Sequence, residues 1–291
     1  MQQSQAPSLD ISTIVDQSFE VVKTIRRAGD RIWAGIVERD GQQFFLKVNL
    51  HQEKWVEPYV QLTRFLQANT SVPVPDIVEY GEHYILFEVV DGEALETVQL
   101  TPAIRRQLQG YVEDMRRFTF DMVGSIDERG NITNIHDYAI TNRPLPSVNV
   151  RTFQKYRIGP LKYRFVANPH IRRYRNIVDL VCDMAPTESH SVLCHTDLNV
   201  DNVLVRGDQV VAITDWEGCG VYPFSYAVGK AEFLNPIFFP TTLYNELGYK
   251  NPTESARFEM LWFICRYIND RDIPDKVFFE RMEEFRARFN I

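Results

Sequence analysis

Hydrophobic residues over positions 1–90 recur at the spacing of strands, with one helical interruption. Phe19–Val22, Ile32–Glu38 and Phe44–Val48 are rich in β-branched and aromatic residues, and Arg39-Asp40-Gly41-Gln42 joins the last two as a hairpin turn with its glycine placed for positive φ. From about Glu57 to Ala68 the apolar positions Val60, Phe65 and Leu66 fall at helical spacing, and the extended Val72-Pro73-Val74-Pro75 follows. Asp76–Tyr80 and Tyr84–Val90 predict two further strands, closed by Asp91-Gly92. From Thr101 the pattern turns helical, with a Thr-Pro start and the amphipathic run Ile104–Phe118. Positions 128–168 read as a long irregular insertion, and such lengths are usually functional. Helical character returns at 172–184, 253–268 and 276–289, and a short hairpin, Asn202–Val205 with Val210–Thr214, turns across Arg206-Gly207-Asp208.

Composition narrows this picture without changing it. Of 291 residues 44% are hydrophobic, and 19 Phe, 13 Tyr and 4 Trp supply the apolar area that a disordered chain lacks. The 39 acidic against 32 basic residues leave a net −7, which argues against nucleic-acid binding, because a phosphate-tracking surface needs a basic balance. Cys182, Cys194, Cys219 and Cys265 form no C-x-x-C pair and read as small core hydrophobes. There is no basic segment followed by an apolar run at the start and no apolar stretch of ~18 residues, so neither a signal peptide nor a membrane span is expected. A cytoplasmic location follows as the expectation, and no feature points to an obligate protein partner.

The chemistry concentrates in Leu193-Cys194-His195-Thr196-Asp197-Leu198-Asn199-Val200-Asp201-Asn202 and in Ile213-Thr214-Asp215-Trp216-Glu217. The first has the form H-x-D-L-x-x-x-N, and the second places an aspartate at the end of the hairpin that follows. Phosphoryl transfer explains why these residue types occur together. The transferred group needs little covalent help, so the protein supplies an aspartate to orient the attacking hydroxyl and oxygen ligands for Mg²⁺. Asp197 suits the first role. Asn202 and Asp215 suit the second, because a hairpin returns the two to one edge.

On these residues the sequence resembles the aminoglycoside phosphotransferase and choline kinase group of small-molecule kinases, in particular fungal members with an Asn69-Thr70-Ser71-Val72-Pro73-Val74-Pro75 segment. The likeness runs from about Val21 to Met282 and includes Phe45-Leu46-Lys47-Val48, Leu86–Gly92 and a Gly124-Ser125 turn. It implies an α+β, two-lobed, protein-kinase-like fold. An N-terminal lobe (1–90) would hold a small antiparallel sheet and one helix. A hinge at 88–92 would lead to a mostly helical C-terminal lobe (93–291) with the short catalytic hairpin, and ATP would lie between the lobes. By the same resemblance Lys47 reaches the phosphates, Glu88 and Val90 present hinge backbone to adenine, and His195 supports the loop from beneath.

Two positions depart from the family pattern. The segment that should be a glycine-rich phosphate loop, Arg26–Arg31, has only Gly29. The helix position that should carry the glutamate partner of Lys47 is Tyr59, so Glu57, two residues earlier, is the expected partner. Glu217 reads as a substrate or metal contact or as a turn residue. Tyr222 and Tyr226, in an aromatic run with Phe224, Phe233, Phe238 and Phe239, read as core or as the wall of a site for a small-molecule hydroxyl acceptor. The expected function is an ATP- and Mg²⁺-dependent phosphotransferase. A kinase-fold binding module without phosphotransfer, or an enzyme using the same residues for ATP-independent chemistry, remain alternatives. A protein-kinase reading is weaker, because no Ala-Pro-Glu segment follows Asp215.

Overall fold

The computed structural model describes residues 19–28, 32–50, 54–136, 144–153, 188–238, 243–249, 260, 263 and 274–289. Gly29, the predicted helix at 172–184, nearly all of that at 253–268 and much of the 128–168 insertion lie outside them. The described chain forms two compact units. The first comprises 1–114, 125–145 and 200–219, and the second 115–124, 146–199 and 220–291. The hairpin expected in the helical lobe therefore belongs to the same unit as the N-terminal sheet.

That sheet is antiparallel throughout. Its strands β1 (Glu20–Ala28), β2 (Ile32–Arg39), β3 (Gln42–Asn49), β4 (Ile77–Tyr80) and β5 (Tyr84–Glu88) run in the spatial order β1-β2-β3-β5-β4. The β2–β3 turn holds Asp40 and Gly41 at φ 54° and 76°, the paired positive values that a two-residue hairpin matched to strand twist requires. Along β3 the side chains alternate. Phe44, Leu46 and Val48 are buried with Trp33, Val37 and Leu86 in one core, where each full burial stabilises by roughly 1.5–3 kcal/mol. Phe45 and Lys47 therefore share the opposite face, as the period of two dictates.

Helix α1 (Val56–Asn69) buries Val56, Tyr59, Val60, Leu62, Thr63, Phe65 and Leu66. Tyr59 lies edge-on to Phe87, which in turn contacts Phe45, so the helix packs on the Phe45–Lys47 face. Its last carbonyls are capped by Asn69 Nδ2 on Phe65 O and by the amide and hydroxyl of Thr70 on Leu66 O. The amide and hydroxyl of Ser71 then donate to Asp114, and Pro73 O accepts from Ile213 N–H, which ties the extended segment to the later hairpin.

Strand β6 (Glu93–Ala94) pairs with the hairpin of β11 and β12 described below. Helix α2 (Pro102–Arg116) starts where Thr101 Oγ1 accepts the Ile104 N–H, with Pro102 in the first turn. Its Ile104, Leu108, Val112 and Met115 form a buried stripe at spacings of four, four and three.

In the second unit β7 (Thr119–Phe120), β8 (Met122–Val123) and β9 (Val148–Asn149) are two-residue strands. Strand β10 (Ser191–Cys194) lies between β7 and β13 (Gly220–Tyr222) and delivers the chain to His195. Back in the first unit, β11 (Val203–Arg206) and β12 (Gln209–Ile213) form the expected hairpin, with Gly207 at φ 60° in its turn. Gln107 of α2 braces it, accepting the Val210 N–H and donating to Asp208 O. Helix α3 (Phe224–Phe238), the single-turn helix α4 (Leu243–Glu246) and the last helix, Asp275–Phe289, also belong to the second unit. No helix among the described residues is long and apolar enough to cross a membrane.

Candidate active site

In the first unit the hairpin carries Asn202 and Asp215 to one edge. Val203 pairs with Ile213, and the Thr214 N–H donates to Asn202 O at 2.8 Å, so the strand ends are fixed side by side. Asp215 has φ 61°, a left-handed conformation that costs an L-residue roughly 1–2 kcal/mol and marks a position held by its surroundings. The holding groups are local. Trp216 is buried and its Nε1–H donates to Ile213 O, while the Cys219 N–H closes a turn onto Trp216 O with Gly218 at φ 68°. A positive φ at the third residue of such a turn is what glycine permits.

Lys47 Nζ meets this segment directly. It lies 2.5 Å from Asp215 Oδ1 and 3.3 Å from Glu217 Oε2, and the three side chains are 14, 29 and 17% exposed respectively. Burial alone would lower the lysine pKa. The Asp215 and then the Glu217 carboxylate overcome it and hold the ammonium well above the ordinary lysine range. Burial pushes Glu217 upward, reinforced by the like charge of Asp215 and opposed by Lys47. The Tyr59 phenol is likewise pushed up by burial and stays neutral.

Glu57, the expected partner of Lys47, does not meet it. It is exposed in the first turn of α1 and accepts from Gln61 Nε2 at 2.6 Å. The side chain from α1 that interacts with Lys47 is Tyr59. A small cleft in this unit is lined by Trp55, Tyr59, Ser125, His136, Trp216 and Glu217, among others. His136 is 9% exposed and its imidazole is held by burial below the ordinary histidine value.

In the second unit the loop after β10 is built on buried side chains. His195 is fully buried, and its Nδ1 accepts the Asp197 N–H at 3.2 Å, the supporting contact expected for it. Asn199 Nδ2 donates to Asp197 Oδ1 at 3.3 Å. Two contacts have no counterpart in the sequence reading. Tyr244 Oη donates to His195 O at 2.8 Å, and the buried Lys230 Nζ donates to Thr196 Oγ1 at 3.0 Å. A lone lysine in the apolar run Phe224–Phe238 was the available signal for the second. Tyr222 and Tyr226, entertained as substrate contacts, are fully buried. Their rings stack at 5.3 Å, and both touch Phe153, so they form core.

At the expected hinge, Glu88 is exposed and its N–H is committed to Asp76 O. For magnesium the fit rests on donor chemistry. Asn202 and Asp215 offer an amide and a carboxylate oxygen, a hard and incomplete set of the kind Mg²⁺ accepts when water and phosphate supply the rest. Among the described residues no group of three or more His, Cys, Asp or Glu is arranged to hold a metal by itself.

An antiparallel sheet bearing a buried lysine opposite a left-handed aspartate, with an H-x-D loop elsewhere in the chain, defines a protein-kinase-like fold. Within that class the chain belongs to the phosphotransferase enzyme family, whose model matches residues 30–245. No curated protein sequence matches it. Among solved structures, ADP-bound aminoglycoside phosphotransferase APH(2″)-Ib is similar at 12% identity with a TM-score of 0.57, over 94% of each chain. Macrolide 2′-phosphotransferase type I is similar at 13% identity and 0.55, over 97% of this chain and 99% of that one. A putative fructosamine-3-kinase from Haemophilus somnus is similar at 13% identity and 0.54, over 95% and 96%.

Proposed function

We propose that the protein is an ATP- and Mg²⁺-dependent phosphotransferase acting on a hydroxyl group of a small molecule. The observation that carries this reading is Lys47, kept charged in a mostly buried site against Asp215, 168 residues further along the chain. A structural lysine is seldom brought so far to face the residue expected to bind metal. The structures similar in fold act, by their names, on aminoglycosides, macrolides and fructosamines, and one holds ADP, which supports a nucleotide donor and a hydroxyl-bearing acceptor.

In this reading the acceptor oxygen attacks the γ-phosphorus as the bond from that phosphorus to the β–γ bridging oxygen breaks. ADP leaves and the hydroxyl proton passes to Asp197. His195 holds the Asp197 amide from within the core, and the Asn199 amide donates to one carboxylate oxygen, so the carboxylate is oriented by its own loop. Lys47 neutralises phosphate oxygens, and Asn202 and Asp215 hold Mg²⁺, which supplies charge neutralisation on the phosphates when bound. Backbone groups at Val90 serve adenine, since the Glu88 amide is already bonded.

Asp197→Ala should bind ATP as the wild type does and lose at least 10²-fold in turnover, the span of a positioned base. Calorimetric titration with ATP and coupled ADP release across a panel of hydroxylated small molecules measure both. Unchanged turnover in Asp197→Ala would remove its assigned role, and absence of ATP binding by the wild-type protein would overturn the reading.

A further inference from the structure

We infer that Glu217 is the positioning residue for Lys47, replacing from the segment after Asp215 the glutamate that the helix lacks. The inference rests on the phosphotransferase reading and deepens it. A lysine that reaches for phosphate from a site 14% exposed needs an anionic anchor, because an unanchored ammonium there would be both desolvated and free to swing. Glu57 is turned to solvent and bonded to Gln61. The α1 residue at Lys47 is Tyr59, a neutral phenol fixed edge-on against Trp55 and Phe87.

Two carboxylates remain. Asp215 is assigned to the metal, and an aspartate that gives its oxygens to a dication retains little charge for a lysine. Glu217 lies outside the Asn202–Asp215 pair proposed to hold the metal. Its Oε2 lies 3.3 Å from Nζ, and its Oε1 is buried with no hydrogen-bond partner. A buried carboxylate oxygen without a partner is costly, and its retention beside a lysine is explained if the charge itself is what the site requires. The backbone supports the same role. Glu217 occupies the second position of the turn from Trp216 to Cys219, whose left-handed Gly218 and buried Trp216 fix the direction from which the side chain departs. This carboxylate is therefore positioned by a tight turn, whereas one from α1 would move with the helix.

The test uses the full chain and ATP as the probe, in EDTA and then with Mg²⁺. Glu217→Gln keeps the shape and removes the charge. In EDTA, where Asp215 still anchors Lys47 at 2.5 Å, it should bind ATP nearly as the wild type does; with Mg²⁺ it should bind ATP at least tenfold more weakly and raise the KM for ATP by more than it lowers kcat. Glu217→Asp, which keeps the charge at shorter reach, should lie between. Tyr59→Glu in the Glu217→Gln background should recover affinity by restoring a carboxylate from the helix. Wild-type affinity of Glu217→Gln in the presence of Mg²⁺, alongside clear loss in Lys47→Ala, would overturn this inference and leave the phosphotransferase reading standing. Absence of ATP binding by the wild type would instead remove both. If Tyr59→Glu does not fold, the Gln and Asp variants decide: equal loss in both means packing, and a graded loss means charge.

Discussion

Lys47→Met in the nucleotide-free protein should destabilise more than Asp215→Asn, although the two remove opposite ends of one ion pair. Met retains most of the apolar stem, so the main change is charge. With the ammonium gone, Asp215 and Glu217 are left as two carboxylates around one site, both less than a third exposed. Removing one partner of a fully buried pair costs about 3–5 kcal/mol, and the partial exposure here places the cost near 3 kcal/mol. Asp215→Asn leaves Lys47 paired with Glu217 at 3.3 Å and should cost about 1 kcal/mol. The double variant removes one of the two stranded carboxylates, so it should be more stable than Lys47→Met alone, by about 1 kcal/mol. At ~2–4 °C per kcal/mol for chains of this size, Lys47→Met should lose roughly 6–12 °C in Tm and regain part of that in the double variant. Urea unfolding followed by far-ultraviolet circular dichroism gives the same order isothermally. If Asp215→Asn proves the more damaging single change, or if the double variant equals the sum of the singles, the three-charge account of this site is wrong.

Two further outcomes can be checked in the same laboratory. His136 has a folded pKa below its ordinary 6.5, so the unfolded chain takes up the proton first; stability should fall as pH drops through 6.5, and His136→Asn should flatten that slope in unfolding experiments at pH 5 to 7.5. Gly92→Ala would set a Cβ 2.7 Å from Val211 Cγ2 and 3.2 Å from Val205 O, so the Val211 side chain or the backbone at Gly92 must give way, a cost of about 1–3 kcal/mol by chemical denaturation.

The N-terminal sheet was legible because its strands are long enough to show period two and its turn chemistry is explicit at Asp40-Gly41. The helix Val56–Asn69 and the 203–213 hairpin were legible for similar local reasons. The strands Glu93–Ala94, Thr119–Phe120, Met122–Val123 and Val148–Asn149 were not, because two residues carry no period and their pairing is set by distant partners. The helix Phe224–Phe238 was hidden by its composition, since a helix apolar on most sides has no stripe to detect. At the site, the residue types and spacing pointed to Lys47, Asp197, Asn202 and Asp215. What spacing could not convey was which carboxylate meets Lys47, because Glu57 and Glu217 differ in direction rather than in chemistry. The bracing by Lys230 and Tyr244 was out of reach too, since tertiary packing alone brings them to Thr196 and His195.

The compact unit that holds Lys47 and Asp215 is assembled from three stretches of chain, interrupted by 115–124 and by 146–199. During synthesis at ~5–20 residues per second, Lys47 leaves the ribosome roughly 10–30 s before Asp215 does. For that interval the nascent sheet has an ammonium on its Phe45 face with no carboxylate from the hairpin, and Pro73 lacks the strand that bonds it. Translation alone therefore cannot finish this unit from its N-terminal end. Its closure waits on synthesis through residue 219, and a truncation before Asp215 should yield a sheet that chaperones hold and proteases find.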